Sequence, residues 1–369
     1  MPDNDPARAT GRWWLAAAAL AGLLAMQAAR QPPPPIRNPA ARRPGQAQPR
    51  RAEPEAEAEA QRGRQAARPA QIPPRGWWDI LRRTAAQAME DRLMTEAAGI
   101  TFYTLLALFP ALAALVSLYG LVADPQAIAG HLQSLGGVVP GGGMAIIEEQ
   151  LSRVAGNASS TLGLGVLASL AVSLWSANQA AKALFDALNV VYEEPEKRGF
   201  IRLTATTLLF TLSFILFAIL SMTAVVALPV VLGFVGLGGT VEALLTHGRW
   251  PMLLLASALV LSCLYRWGPS RAHARWRWVT WGSAFAAFAW LGASAAYSWY
   301  VANFGSFNET YGSLGAVIGF MTWIWISAIV VLLGAELNAE MEHQTERDTT
   351  TAPERPMGRR GAEMADTVA

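Results

Sequence analysis

The sequence predicts an all-α fold: a polytopic membrane helix bundle of six core transmembrane helices, preceded by an interfacial helix and an extra N-terminal anchor helix. Three observations predict it. Only 15% of the 369 residues are charged and 53% are hydrophobic, whereas a soluble domain carries about 25% charge. Six long apolar runs recur between residues 100 and 333. Arginine and lysine gather in alternate connections between those runs.

Residues 13–29, WWLAAAALAGLLAMQAA, follow Arg8 and Arg12 and are about one span long. They read as an anchor helix with its N-terminus outside, because cleavage would export the Arg-rich segment that follows, against the charge rule. A cleaved or non-native leader is the alternative. Residues 30–76 are rich in Pro, Ala, Arg and Gln and hold few large apolar side chains. Such a segment cannot offset its ordering entropy, so a disordered linker is expected. Its four glutamates, Glu53, Glu55, Glu57 and Glu59, dilute its attraction to anionic headgroups and favour a plain solvated tether. Residues 343–369 read the same way, as a disordered cytoplasmic tail. The ordered membrane domain is expected over 77–342.

That domain opens with WWDILRRTAAQAMEDRLMTEAA (77–98). At helical spacing Trp78, Leu81, Ala85, Ala88 and Met89 share a face, while Arg83, Thr84, Glu90 and Asp91 point elsewhere. The pattern suits a helix in the interface plane, anchored by Trp77 and Trp78.

The six apolar runs are 100–122, 162–175, 203–228, 250–265, 279–300 and 314–333. They are long, continuous and not alternating, which favours helix over strand. A backbone in lipid must also satisfy its own hydrogen bonds. Basic side chains precede the first run (Arg75, Arg82, Arg83, Arg92) and follow the second (Lys182, Lys197, Arg198, Arg202) and the fourth (Arg266, Arg271, Arg275, Arg277). The alternate connections, 123–160, 235–249 and 302–313, hold only Arg153 and Arg249. Short basic connections stay in the cytoplasm, so both ends of the domain are expected there.

Within the spans, Pro110 predicts a kink in the first helix. Thr101 and Thr104 lie one turn apart beside it, free to bond backbone or neighbouring helices. Gly315 and Gly319 form a GxxxG pair and Gly292 with Ala296 a similar one, spacing that lets helix backbones approach closely. Tight packing within the bundle is the first reading; a dimer interface or a gap for substrate is the alternative. Tyr311, Gly312 and their polar neighbours Asn303, Asn308 and Glu309 end two helices and turn the chain. Asn178 and Asn189 flank Lys182 at the cytoplasmic end of the second span. Glu336 falls just past the membrane boundary of the last span and shares a face with Glu340, while Asn338 faces away. Glu336 is expected to pair with Arg266, Arg202 or Lys182, with proton or substrate handling as the alternative.

Several function classes are disfavoured. A net charge of +2 gives no basic patch for nucleic acid. The single cysteine, Cys263, excludes an internal disulfide. His131, His247, His273 and His343 are scattered, with no metal-binding spacing. No metal, cofactor or catalytic residue is predicted, and the chain is not expected to be an enzyme.

A family resemblance enters with AAGITFYTLLALFPAL in the first span. WSANQAAKALFDALNVVYEEPEKRGFIR (175–202), LYRWGPSRAHARWRWV (264–279), YVANFGSFNETYGSLGAVIGFMTWIW (300–325) and GAELNAE (334–340) follow in order. Over 77–342 the chain resembles the YihY/BrkB family of bacterial inner-membrane proteins. That family carried a ribonuclease label now widely considered mistaken, and its members are otherwise described as of unknown function or as transporters. The resemblance implies no catalytic residues. It leaves two expectations: a transporter or flippase for a lipid-like or amphipathic substrate, or a non-transporting scaffold of the envelope. Membrane lipids are the expected partners, with an unnamed substrate and self-association as further ones.

Overall fold

The computed structural model describes residues 62–120, 162–227, 239–304, 314–351 and 353–369, all within one compact unit, Glu53–Ala369. The expected anchor helix at 13–29 lies outside the described residues. A short 3-10 turn, Pro69–Gln71, leads into α1, Pro74–Glu90. Six long helices follow: α2 Leu93–Gly120, α3 Leu162–Val191, α4 Phe200–Met222, α5 Gly239–Trp267, α6 Trp276–Phe304 and α7 Gly315–His343. A last turn, α8 Glu363–Asp366, closes the chain. Each of the six long helices covers most of one of the six apolar runs. By length and hydropathy alone, Phe200–Val225, His247–Trp267 and Val317–His343 are long and apolar enough to cross a membrane.

The packed core sits at one end of the bundle. It joins Leu93 and Ile100 of α2, Phe185 and Leu188 of α3, Leu264 and Tyr265 of α5, Val279 of α6, and Leu332 and Ala335 of α7. These positions are the N-terminal ends of α2 and α6 and the C-terminal ends of α3, α5 and α7, as an up-and-down order requires. It is also the end where the arginines cluster. Away from it the helices are bare: only 6% of the α4 window is buried, and Leu209, Leu212, Leu216 and Leu220 are all more than half exposed. A stripe of that size facing water would be costly; facing lipid it costs nothing.

α1 ends at Asp91, and Arg92, at φ +53°, turns the chain into α2. Trp78, Leu81 and Met89 of α1 are exposed, while Ile80, with Trp77 packed beside it, joins Trp278, Leu337 and Met341 in a second cluster. Trp77 also packs against Trp281, the two rings tilted with centroids 5.5 Å apart. This division between an outward apolar face and an inward docking face agrees with the amphipathic reading of 77–98. At the other end of α4 the helix widens into a π turn, Thr223–Ala227. Arg249 of α5 donates to the Val225 carbonyl there at 3.1 Å.

Helices α6 and α7 run antiparallel and are joined along their length. Trp290 Nε1 donates to Ser327 at 2.9 Å and Trp323 Nε1 to Ser294 at 3.1 Å. Tyr297 donates to the Gly319 carbonyl at 2.6 Å. Their closest approach is at Gly282 and Gly334. A Cβ on Gly334 would lie 2.6 Å from the Tyr265 hydroxyl and 2.7 Å from Ala286, and one on Gly282 would collide with the Gly334 carbonyl and the Asn338 side chain. Gly292, one of the glycines expected to permit a close approach, faces open space.

Two segments correct the sequence expectation. Residues 62–73 and 344–369, read as solvated linker and tail, are folded onto the core end of the bundle. Glu346 N–H donates to the Arg64 carbonyl at 2.8 Å, Arg275 N–H to Thr349, Thr351 N–H to His273 and Ala272 N–H to Gly361. Thr345 donates through its hydroxyl to the Ala66 carbonyl at 2.8 Å, and Met364 is buried in the main core. The composition is poor in large apolar residues, and the segments are held instead by backbone hydrogen bonds to helix ends and loops, which composition cannot reveal.

Replacing Gly282 with alanine should cost about 1–3 kcal/mol through forced separation of α6 and α7. Gly292→Ala should be neutral. Thermal unfolding in detergent checks the contrast; equal midpoints for the two variants would contradict the close approach.

Candidate functional site

The last three turns of α7 carry Glu336, Asn338, Glu340 and Glu342, and all four are buried. A 29-residue helix outruns the roughly 20 residues needed to span hydrocarbon. Its excess here enters a shell made by α1, α3, α6 and the folded tail. Inside that shell each polar group needs a partner.

Three of the four have one. Asn338 accepts from Gly282 N–H at 2.8 Å and donates to the Val279 carbonyl at 3.2 Å, which fixes the rotation of α7 against α6. Glu340 takes Arg83 of α1 at 2.5 Å, and Arg83 also donates to Gln344 at 2.6 Å. Glu342 forms a two-pronged pair with Arg271, at 2.7 and 3.0 Å, both side chains being fully buried. Thr349 donates to the same carboxylate at 2.7 Å, and the Arg271 guanidinium lies 4.1 Å from the Tyr192 ring centroid. Burial opposes the Arg271 charge, but the Glu342 carboxylate overrides it and holds the group above the usual arginine range.

Glu336 is the exception. It is fully buried, and neither carboxylate oxygen has a hydrogen-bond partner among the described residues. The expected pairing with Arg266, Arg202 or Lys182 does not form. Arg266 turns instead to the Ala274 carbonyl and over Trp276, Lys182 lies over the Phe200 ring at 5.1 Å, and Glu340 and Glu342 hold the two arginines that do reach α7. The charged groups acting on Glu336 are Asp91, Glu340 and Glu193, all acidic. Asp91 sits at the α1–α2 junction, with one oxygen accepting from Gln87 at 3.1 Å and the other buried and unpartnered. Burial, reinforced by Glu193, Glu90 and Glu340, raises its carboxyl to about 6.

The other residues singled out by sequence divide. Thr101 and Thr104 donate to the carbonyls of Ala97 and Ile100 in their own helix, at 2.6 and 2.8 Å. Of the two expected partners, backbone or a neighbouring helix, both hydroxyls take the backbone. Pro110 lies inside α2. Asn178 is buried with its carbonyl oxygen unpartnered. Asn189 joins the loops, donating to Glu196 at 3.0 Å and accepting from Ser270 N–H at 2.8 Å. Gly315 and Gly319 are buried in α7, whereas Tyr311 and Gly312 lie outside the described residues. Sequence reading missed Arg271, Gly282 and Gly334, whose importance depends on what α7 brings against them. Among the described residues no group of three or more His, Cys, Asp or Glu could hold a metal ion.

Beside this assembly an open cleft of about 590 Å³ lies between the first turns of α4 and the α5–α6 connection. Arg202, Thr206 and Leu209 present one face of α4 to it. Of its arginines, Arg271 is committed to Glu342, and Arg198 is committed to Glu196 at 2.7 Å and to the Gly268 carbonyl at 2.8 Å. Lys197 reaches Glu194 at 2.6 Å. Arg202 is exposed and has no hydrogen-bond or ion-pair partner among the described residues. His273 borders the same space. Burial lowers its pKa, a hydrogen bond to the Arg266 carbonyl opposes this, and Arg266, Arg271 and Arg202 lower it further.

The family model described as virulence factor BrkB matches residues 84–358. The chain belongs to the BrkB family. The match runs from within α1 into the folded tail, so it includes the α7 carboxylates and most of the cleft. The chain is 29% identical over 254 residues to YfkH of Bacillus subtilis, whose name calls it ribonuclease-like, covering 66% of this chain and 88% of that protein. It is 29% identical to the UPF0761 membrane protein RSc1559 of Ralstonia nicotianae, covering 72% of this chain and 60% of that one. A third relative, the UPF0761 membrane protein Mpe_A1422 of Methylibium petroleiphilum, is 25% identical, covering 71% and 62%. The BrkB chain thus spans less than two thirds of the length of the last two. No solved structure matches it. Family and fold together make the chain an integral membrane protein.

Two outcomes follow for this BrkB protein. Arg271→Met should destabilise it by about 3–5 kcal/mol, because Glu342 is left charged and buried; Arg271→Met with Glu342→Leu should recover much of that loss. A double variant no more stable than the single one, by thermal unfolding, would contradict the pairing. Asp91 binds its proton more tightly in the native state than in the unfolded chain, where its pKa is ordinary. Stability should therefore fall as pH rises from about 4 to about 6. Asp91→Asn should flatten the melting temperature across that window, and an unchanged slope would contradict the burial.

Proposed function

We propose that the protein is a bacterial inner-membrane transporter or flippase for an amphipathic, lipid-like substrate. The observation that carries the reading is the lateral cleft beside α4. Its mouth is cationic at Arg202 and polar at His273, and its wall is apolar, at Leu209, Phe210 and Trp267. That wall continues into the exposed leucine stripe of α4. A molecule with a polar head and a hydrocarbon tail fits such a surface, and an inorganic ion leaves half of it unused. No chemical step is assigned, and membrane lipids are the expected partners.

Orientation in this reading follows the basic connections: the packed end, with Arg83, Arg202, Arg271 and the folded tail, faces the cytoplasm. The dense closure of that same end favours a second reading, a non-transporting scaffold that offers the tail and loops to partners.

Fluorescent phosphatidylglycerol in liposomes separates the two. Vesicles containing the protein should move the label between leaflets several-fold faster than empty vesicles. Rates no faster than those of empty vesicles, for anionic and zwitterionic labels alike, would sink the transport reading in favour of the scaffold.

A further inference from the structure

We infer that the α4 cleft is a binding site for an anionic membrane lipid, with Arg202 as the headgroup cation and the exposed face of α4 as the acyl-chain track. The inference gives the substrate class of the transport reading and rests on that reading for its role, although binding is measured separately from movement.

The argument begins with the charges. Around the cleft Arg198, Arg271 and Lys197 are each matched by a carboxylate, of Glu196, Glu342 and Glu194 respectively. Arg202 has no such match and stands exposed at the mouth. An unmatched guanidinium at a membrane boundary is a ready partner for phosphate, which it can meet with two parallel hydrogen bonds. Among the described residues no carboxylate lines the cleft to compete for it. The nearby ring of His273 already lies in the positive field of Arg266, Arg271 and Arg202, so the mouth as a whole favours an anion.

The geometry supplies the rest. Arg202, Thr206, Leu209 and Phe210 line the cleft along consecutive turns of one helix. From Arg202 to Phe210 is about 12 Å along the axis, which carries the surface from headgroup depth into hydrocarbon. Beyond it Leu212, Leu216 and Leu220 stay exposed. A soluble phosphate compound would use the mouth and leave this track empty; a phospholipid covers both.

Full-length protein purified in detergent and titrated with phosphatidylglycerol, with bound lipid counted by native mass spectrometry, tests the site. Wild type should retain phosphatidylglycerol in preference to phosphatidylcholine. Arg202→Gln should bind it about tenfold more weakly, the loss of one charge-assisted contact, and Arg202→Lys should recover part of the affinity. Because the Arg202 side chain has no hydrogen-bond or ion-pair partner among the described residues, the melting temperatures of the variants should match wild type, so weaker binding cannot be ascribed to misfolding. Undiminished binding by Arg202→Gln, equal retention of phosphatidylcholine, or displacement by an equal concentration of inorganic phosphate would each overturn the assignment. If wild type binds the lipid and fails to move it, transport falls and the site stands. If Arg202→Gln loses binding and still moves lipid at the wild-type rate, the cleft is not the transport headgroup site.

Discussion

A membrane helix that ends in carboxylates must bring them partners or leave them in water, and this constraint organises the core end of the molecule. Helix α7 carries Glu336, Asn338, Glu340 and Glu342 into a shell closed to solvent. Arg83 from α1, Arg271 from the α5–α6 connection and the backbone of α6 at Gly282 meet three of them. Each partner comes from a different segment, so satisfying one helix end fixes the placement of three others. The glycines at 282 and 334 permit this by letting α6 and α7 touch backbone to backbone. Asn338 can reach the α6 backbone only across that short distance.

The same constraint explains why the tail is folded. Thr349 completes the oxygen set around Glu342, Gln344 completes that of Arg83, and residues beyond them follow the chain back across the helix ends. Glu336 then stands apart as the buried carboxylate that none of these segments serves. Its neighbours Asp91, Glu193 and Glu340 are acids, and Asp91 holds its proton to about pH 6. The bundle thus has a rigid, well-paired side around Glu342 and an electrostatically frustrated side around Glu336. The cleft by α4 lies near the paired side, where positive charge is in excess by one exposed arginine.

Much of this architecture was legible in the chain. Six apolar runs correspond to six helices, and the arginine-rich connections that alternate between them lie together at the packed end. The outward face of α1 could be read from Trp78, Leu81 and Met89. Other features could not be read, for particular reasons. Whether a glycine lies at a crossing depends on the partner helix, so the GxxxG spacing at 315–319 drew attention while Gly282, in WGSA, did not. Glu336 was assigned Arg266, Arg202 or Lys182 by sequence depth, but Arg266 turns to the Ala274 carbonyl, Lys182 lies over Phe200 and Arg202 stands exposed. The tail misled because composition measures what a segment can bury by itself, and this one is held by backbone groups of loops distant in sequence.

The central claim is that residues 344–369 and 62–73 seal the helix ends as folded structure. Hydrogen exchange on the full-length protein in detergent tests it directly. The amides of Thr345, Glu346 and Thr351, each bonded to a carbonyl of another residue, should exchange orders of magnitude more slowly than an unstructured peptide. Exchange of these amides at the free-peptide rate would mean that the helix ends are open, and the partner assignments around α7 would fall with the seal.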